Sequence, residues 1–530
     1  MSLGYLSLVL HAHLPFVRHP EDPHALEQRW LYEAITETYI PLLNVFQTLA
    51  KEGIKYRITF SVSPPLICML ADPQLQKGYL KHLENLRRLI YCELERTYSQ
   101  PEFHKLAQLY QYRINQCYHI FHEENRDNLL NAFRKLEEQG YLEIITSSAT
   151  HGYFPLYSSY REGIRAQVEV AVDTFHRHFG HTPKGFWLPE CAYYPGADAI
   201  LQEYGIEYFF VDTHGVLFAE HRPRYGVYAP LLCPSGVAAF GRDAESSKQV
   251  WSADEGYPGD PDYREYYRDI GYDLDYDYIK PFIHPEGFRI NTGIKYYRIT
   301  GKTNDKHPYV PEWATDKAAI HAGNFMFNRE KQVEHLAGIM DRKPIIVAPY
   351  DTELFGHWWF EGPMFLDFLI RKMYYDQSVV QLITPGDYLR EYPQNQVSIP
   401  CSSSWGQGGY HEFWLDGSNA WIYRHLHDKV EKMVSLANRY PQADGTTRRL
   451  LNQAARELLL AQSSDWAFIM KTGTMVDYAV RRTRQHLENF DKLFGSLEAD
   501  SVSGDEEWLS RLEDKNNIFP ELDYRIYASK

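Results

Sequence analysis

Two carboxylates in this chain sit where ordinary packing does not ask for charge. Glu190 lies in Phe186-Trp-Leu-Pro-Glu-Cys-Ala-Tyr-Tyr194, between a short apolar run and a helix-forming stretch. Beside Trp187, Pro189 and Cys191 its carboxylate is partly withheld from water, which costs free energy unless the group has a role. The plain alternative is a glutamate at a helix start, stabilised by the helix dipole. Asp351 follows an apolar run and is followed within eight positions by Glu353, His357, Trp358 and Trp359. An N-cap Asp with a Glu in the first turn explains the two acids. It leaves the His-Trp-Trp cluster unexplained.

His11 and His13 end the first apolar run and point to one side of a strand. Such a pair can ligate a metal in a hydrolase, or hydrogen-bond sugar hydroxyls and orient a carboxylate, or sit as a satisfied core pair. His411-Glu412 is no zincin signature, because Leu415 stands where the second His would be. Trp405 and Trp414 flank a Gly-rich stretch that reads either as a stacking platform for rings or as a loop packed on helices. Asp465 and Trp466 interrupt a helical apolar pattern, so that helical segment is expected to face the site.

The elements that position these residues alternate. Apolar runs at Tyr5–Leu10, Tyr56–Val62, Leu142–Thr146, Gly185–Trp187, Tyr208–Val211 and Pro344–Ala348 read as buried parallel strands. Helical patterns at Ala34–Glu52, Leu129–Gln139 and Gly163–Phe179 separate several of them. This is the pattern of an α/β fold, and polar residues just after the strands are those of a barrel whose active face is its carboxyl end. A helical insertion is expected at 72–137, and Tyr-, Asp-, Gly- and Pro-rich loops over the mouth at 241–315. The barrel then spans 1–416. From 417 to 530 the periodicity turns wholly helical and predicts a C-terminal helical domain.

A net charge of −15 excludes a general nucleic-acid binder and disfavours an anionic membrane surface. Aromatics make up 15% of the chain, including 41 Tyr, which suits a neutral sugar substrate. Six scattered cysteines show no disulfide or zinc pattern, and no apolar run is long enough to span a membrane. The first residues lack a signal-peptide pattern, so a reducing cytoplasm is expected.

Taken in order, seven segments resemble glycoside hydrolase family 57, and within it the 1,4-α-glucan branching type: His11–Phe16, Ala149–Gly152, Trp187–Tyr193, Tyr263–Gly271, Tyr350–Trp359, Ser404–Gly409 and Gln462–Trp466. The resemblance implies an incomplete (β/α)7 barrel with an α-helical C-terminal region, and an α-glucan substrate handled by double displacement with no metal or other cofactor. It implies Glu190 as nucleophile and Asp351 as general acid/base, with raised pKa. His11, His13, His151, Trp187, Arg264, Tyr272, Glu353, His357, Trp358, Trp405, Trp414, Asp465 and Trp466 would line the substrate subsites. Oligomeric state is left open between monomer and small homo-oligomer.

One departure bears on the reaction. Branching relatives carry a Tyr on a loop over the site, but Phe240–Trp251 contains none, and Tyr272 stands where Trp is frequent. Loss of that shield implies a shift towards hydrolysis, so an amylase-like hydrolase and a 4-α-glucanotransferase are the near alternatives. A metal-dependent carbohydrate deacetylase using His11 and His13, and a non-catalytic glucan binder, are the remote ones.

Overall fold

The computed structural model describes residues 2–252, 255–499 and 506–529. A few positions of the expected loop region 241–315 and helical region 417–530 lie outside these bounds. One sheet holds β1 (Gly4–Ala12), β2 (Ile58–Val62), β3 (Leu142–Ser147), β4 (Gly185–Trp187), β5 (Tyr208–Val211), β6 (Leu231–Leu232), β7 (Ala238–Gly241), β8 (Ile345–Asp351), β9 (Val380–Leu382) and β10 (Gln396–Val397).

Seven of these strands run parallel in the order β8-β1-β2-β3-β4-β5-β7. The two ends of that series share no ladder among the described residues. They meet through single bonds, such as the Asp243 N–H donating to the Val347 carbonyl at 2.8 Å. This is the incomplete seven-stranded barrel that the family resemblance implied. β6 and β10 extend it beyond β7, and β9 pairs with the first residues of β1.

The strand period of two sorts the core. Along β1, Leu6, Leu8 and Leu10 face the surrounding helices, whereas Tyr5 and Val9 join Ile145, Trp187, Phe210 and Val347 inside the barrel. His11 falls on the inner series, at the carboxyl end. β1 is buried along its whole length because helices cover its outer face.

The insertion is helical, as expected. Its helices Pro73–Arg96 and Pro101–Tyr118 pack together, and Asp72 caps the first by accepting from the Gln74 and Leu75 N–H groups. C-terminal helices run over Trp421–Arg439, Gly445–Ala461, Ser464–Thr472, Val476–Glu498 and Glu506–Lys515. No helix of the described residues is long and apolar enough to cross a membrane.

Two local features depart from the sequence reading. β7 went unrecognised because Val237-Ala-Ala-Phe-Gly241 is short and its alanines carry little apolar signal. The stretch after it, expected as loop, folds as the helix Ala244–Trp251, where the Asp243 carboxylate accepts from the Ser246 N–H.

Candidate active site

The carboxyl ends of β1, β4 and β8 meet at the barrel mouth. His11 and Asp351 are register partners across β1 and β8, and His11 stacks on Trp187 of β4 with ring centroids 4.6 Å apart. Glu190 follows β4 in a tight turn, with φ 63° and ψ 23°, and Cys191 after it has φ 51°. Two successive non-glycine residues in the left-handed region store strain of about 1–3 kcal/mol each. The Trp405 N–H donates to the Glu190 carbonyl at 2.9 Å and holds the turn. Its effect is to aim the Glu190 side chain into the mouth rather than along a helix.

The Glu190 carboxyl accepts from the Trp405 indole N–H at 2.7 Å and from the Ser464 hydroxyl at 3.2 Å. Behind Ser464 lies a line of polar contacts: Ser464 Oγ to His151 Nδ1 at 2.8 Å, His151 Nε2 to His11 Nε2 at 3.1 Å, and His11 Nδ1 to Ser61 Oγ at 3.0 Å. One set of tautomers satisfies every member. Ser61 donates to His11, His11 to His151, His151 to Ser464, and Ser464 to Glu190. Burial holds both His11 and His151 well below the ordinary histidine value, with the neighbouring His13 charge acting the same way. They are neutral, as this line requires.

His13 behaves oppositely. Burial lowers its pKa, but the Asp465 carboxylate at 3.0 Å from Nε2 more than reverses this and leaves it raised. Asp465 is itself pushed up by burial and pulled down further by His13, to about 2. The result is a largely buried imidazolium–carboxylate pair joining β1 to the helix Ser464–Thr472. Asp465 adds stability that is present above its ordinary value of 3.8 and is lost as pH falls through about 2. His13 adds stability that is present below its ordinary value and is lost as pH rises through its raised one. Near pH 6 both are in place, and Asp465→Asn is expected to cost about 2 kcal/mol there. Calorimetry at pH 6 checks this, and an unchanged Tm would contradict it.

The two candidate catalytic carboxyls are coupled. Burial raises Glu190 to about 8, the Trp405 hydrogen bond opposes this, and the charges of Asp351 and Asp465 add to it. Burial raises Asp351 to about 6 against the opposing charges of Arg242 and His13. The pair therefore shares one proton between about pH 6 and 8. Burial acts harder on Glu190, which alone would leave the proton there. The Trp405 hydrogen bond is already within that balance, so in the free site the proton rests on Glu190, while the Asp351 carboxyl accepts no hydrogen bond among the described residues.

Arg242, Ser464, Tyr39 and Glu37 complete the surroundings, and none was legible as a site residue. Arg242 lies just past β7, over the Trp405 ring at 5.5 Å. Its signal was a strand-end position on a strand too short to recognise. Tyr39 donates to Glu353, which also accepts from the His13 N–H at 3.3 Å. Burial raises Glu353 to about 7. Glu37 holds His357 at 2.7 Å.

Several expected sugar contacts have other surroundings. Trp187, Trp414 and Trp466 are buried, with Trp414 stacked on Tyr153 and the Trp466 indole donating to the Leu460 carbonyl. Arg264 is buried over the Phe360 ring at 3.9 Å. Tyr272 and Trp358 are exposed, and Trp405 is half-buried against Glu190. A cavity of ≈ 800 Å³ lined by Arg224, Asp341 and Arg342 holds none of the site residues.

His13, His151 and Asp465 bring three possible ligand atoms within 4.8 Å of one another. Every nitrogen of the two histidines already has a partner: His13 with Ser63 and Asp465, His151 with His11 and Ser464. An ion would have to break the line that serves Glu190.

Comparison with known proteins identifies the family. Residues 7–400 match the family described as glycosyl hydrolase family 57, and residues 425–527 match the region described as 1,4-alpha-glucan branching enzyme, C-terminal. The chain is 35% identical to the 1,4-alpha-glucan branching enzyme of Thermococcus kodakarensis, over 99% of this chain and 79% of that one. It superposes with TM-score 0.93 and 46% identity on the alpha-amylase AmyC of Thermotoga maritima, covering 99% of each chain. With the branching enzyme of Pyrococcus horikoshii the TM-score is 0.89 at 33% identity, over 100% of this chain and 97% of that one. By the match over most of its length, by the barrel and by the carboxylates at its mouth, the chain belongs to glycosyl hydrolase family 57.

Proposed function

We propose that this chain is a retaining 1,4-α-glucan branching enzyme with Glu190 as nucleophile and Asp351 as general acid/base. The observation that carries this reading is the pair of partly buried carboxyls that follow β4 and end β8 at the barrel mouth, with Glu190 held by Trp405 and Ser464. Glu190 attacks the anomeric carbon while Asp351 protonates the departing glycosidic oxygen, and the C–O bond breaks. A glycosyl ester on Glu190 results. Asp351 then takes the proton of an incoming 6-hydroxyl, whose oxygen displaces Glu190 and closes an α-1,6 bond.

Substrate binding sets the proton. The glycosidic oxygen against Asp351 favours its protonated form, while Trp405 and Ser464 favour the Glu190 anion. On this reading residues 1–416 are the catalytic barrel with its insertion and loops, and 417–530 a helical domain that supplies Ser464 and Asp465. The six cysteines are free, which fits a reducing compartment.

A hydrolytic second reading has its own support. Phe240–Trp251 lacks a Tyr and is pinned to β8, since the Tyr350 hydroxyl donates to the Ser246 carbonyl at 2.9 Å. The 46% identical structure is an alpha-amylase. Water can therefore compete for the glycosyl ester. Incubation with amylose, scored for α-1,6 linkages against new reducing ends, separates the two. Branching predicts α-1,6 linkages, in a yield unaltered by dialysis against EDTA. New reducing ends without them would overturn it.

A further inference from the structure

Seven positions beyond Asp351, the same loop carries an exposed aromatic step that the catalytic pair does not use. Trp358 is 55% exposed and stacks on Tyr266, ring centroids 4.5 Å apart at 24°. Tyr267, 82% exposed, stands edge-on to Tyr266 at 5.2 Å.

These rings are held from below. The Lys295 ammonium sits 4.2 Å from the Tyr266 ring centroid and donates to the Tyr266 carbonyl. The Tyr266 hydroxyl lies 3.3 Å from His357, which Glu37 fixes in turn. Fixed aromatic faces left in water are costly on a soluble surface and mark a place where something binds. Flat apolar rings with polar edges suit sugar rings, and a neutral chain needs no countercharge.

The side of the mouth on which they stand says which chain. In double displacement one group protonates the leaving oxygen and later deprotonates the acceptor, so leaving and incoming chains share its side. That group is Asp351 on the reading above. Contacts lead outward from it: its charge raises Glu353, Tyr39 donates to Glu353, and Glu37 on the same helical turn as Tyr39 holds His357. The Glu190 side is bounded instead by Trp405 and Ser464.

We propose that Trp358, Tyr266 and Tyr267 form a platform that holds the acceptor α-glucan chain. The inference rests on the branching reading, and its test keeps the two apart. On amylose, α-1,6 transfer per hydrolytic event is measured for Trp358→Ala, Tyr267→Ala and Trp358→Tyr. The ratio should fall about tenfold in the alanine variants, the loss of one stacked ring, and recover with Tyr. An unchanged ratio, or one that Tyr fails to restore, overturns the platform. Retardation in amylose gels is compared for Glu190→Gln with and without Trp358→Ala, where turnover cannot interfere. Affinity should fall about tenfold on adding the second change. Equal retardation overturns the platform whatever linkages the unaltered enzyme makes. Absence of α-1,6 products from the unaltered enzyme counts instead against branching.

Discussion

Glu190→Gln is expected to lower kcat on amylose by about 10⁴-fold or more while leaving the fold and glucan binding in place. The amide keeps the shape of the carboxyl; its oxygen can accept from Trp405 while its NH2 donates to the Ser464 hydroxyl, so the turn at Glu190 has no reason to rearrange. What it loses is the charge that attacks the anomeric carbon. Stability should rise slightly or stay level, because burial disfavours the Glu190 anion. Steady-state kinetics with a melting curve check both halves. A variant that keeps a tenth of its turnover would remove Glu190 from the chemistry.

Asp351→Asn should cost about 10³-fold on amylose and far less on a maltooligosyl fluoride, whose leaving group needs no proton. The pH dependence carries the same assignment. Below about 6 both carboxyls hold protons and there is no nucleophile; above about 8 both are ionised and there is no acid. The kcat/KM profile of the unaltered enzyme is therefore a bell with limbs near those values, which belong to the pair. In Asp351→Asn the like charge that raises Glu190 is gone. With the fluoride substrate the alkaline limb should vanish, leaving a single acid limb that belongs to Glu190. A profile that keeps both limbs would place the second titrating group elsewhere, with Glu353, raised to about 7, as the first suspect.

The barrel was legible because burial on both faces writes strands such as Tyr5–Leu10 and Ile345–Ala348 as continuous apolar runs. The ordered motifs did more than any single residue, since His11, His13, Glu190, Asp351 and Asp465 are scattered over the chain and converge only through the fold. Less was visible where tertiary contacts decide. Nothing local says that Glu190 adopts a left-handed backbone, because the strain is borne by the Trp405 N–H from a distant loop. Ser464 is a serine beside a recognisable Asp-Trp, and its role exists only because Glu190 and His151 approach it.

The aromatic residues show the limit most clearly. Composition suggested sugar platforms, but sequence cannot tell a ring that faces water from one that fills a core. Trp187 and Trp414 are buried, whereas Trp358, Tyr267 and Tyr272 are exposed. Tyr266 and Tyr267 lie in a segment read as loop and counted among the seven motifs, but neither was singled out as a site residue. What lifts them into view is exposure combined with rigid support, a property of the assembled molecule.

The fate of the intermediate depends on which hydroxyl reaches the anomeric carbon, but its existence does not. The most direct test is to trap it. A fluorinated maltooligosyl fluoride that forms the glycosyl ester quickly and resolves slowly is mixed with the enzyme, which is then digested and mapped by mass spectrometry. The account predicts a single added glycosyl mass on the peptide carrying Glu190, absent from Glu190→Gln. A label on another carboxylate, or inactivation without a covalent adduct, would contradict it.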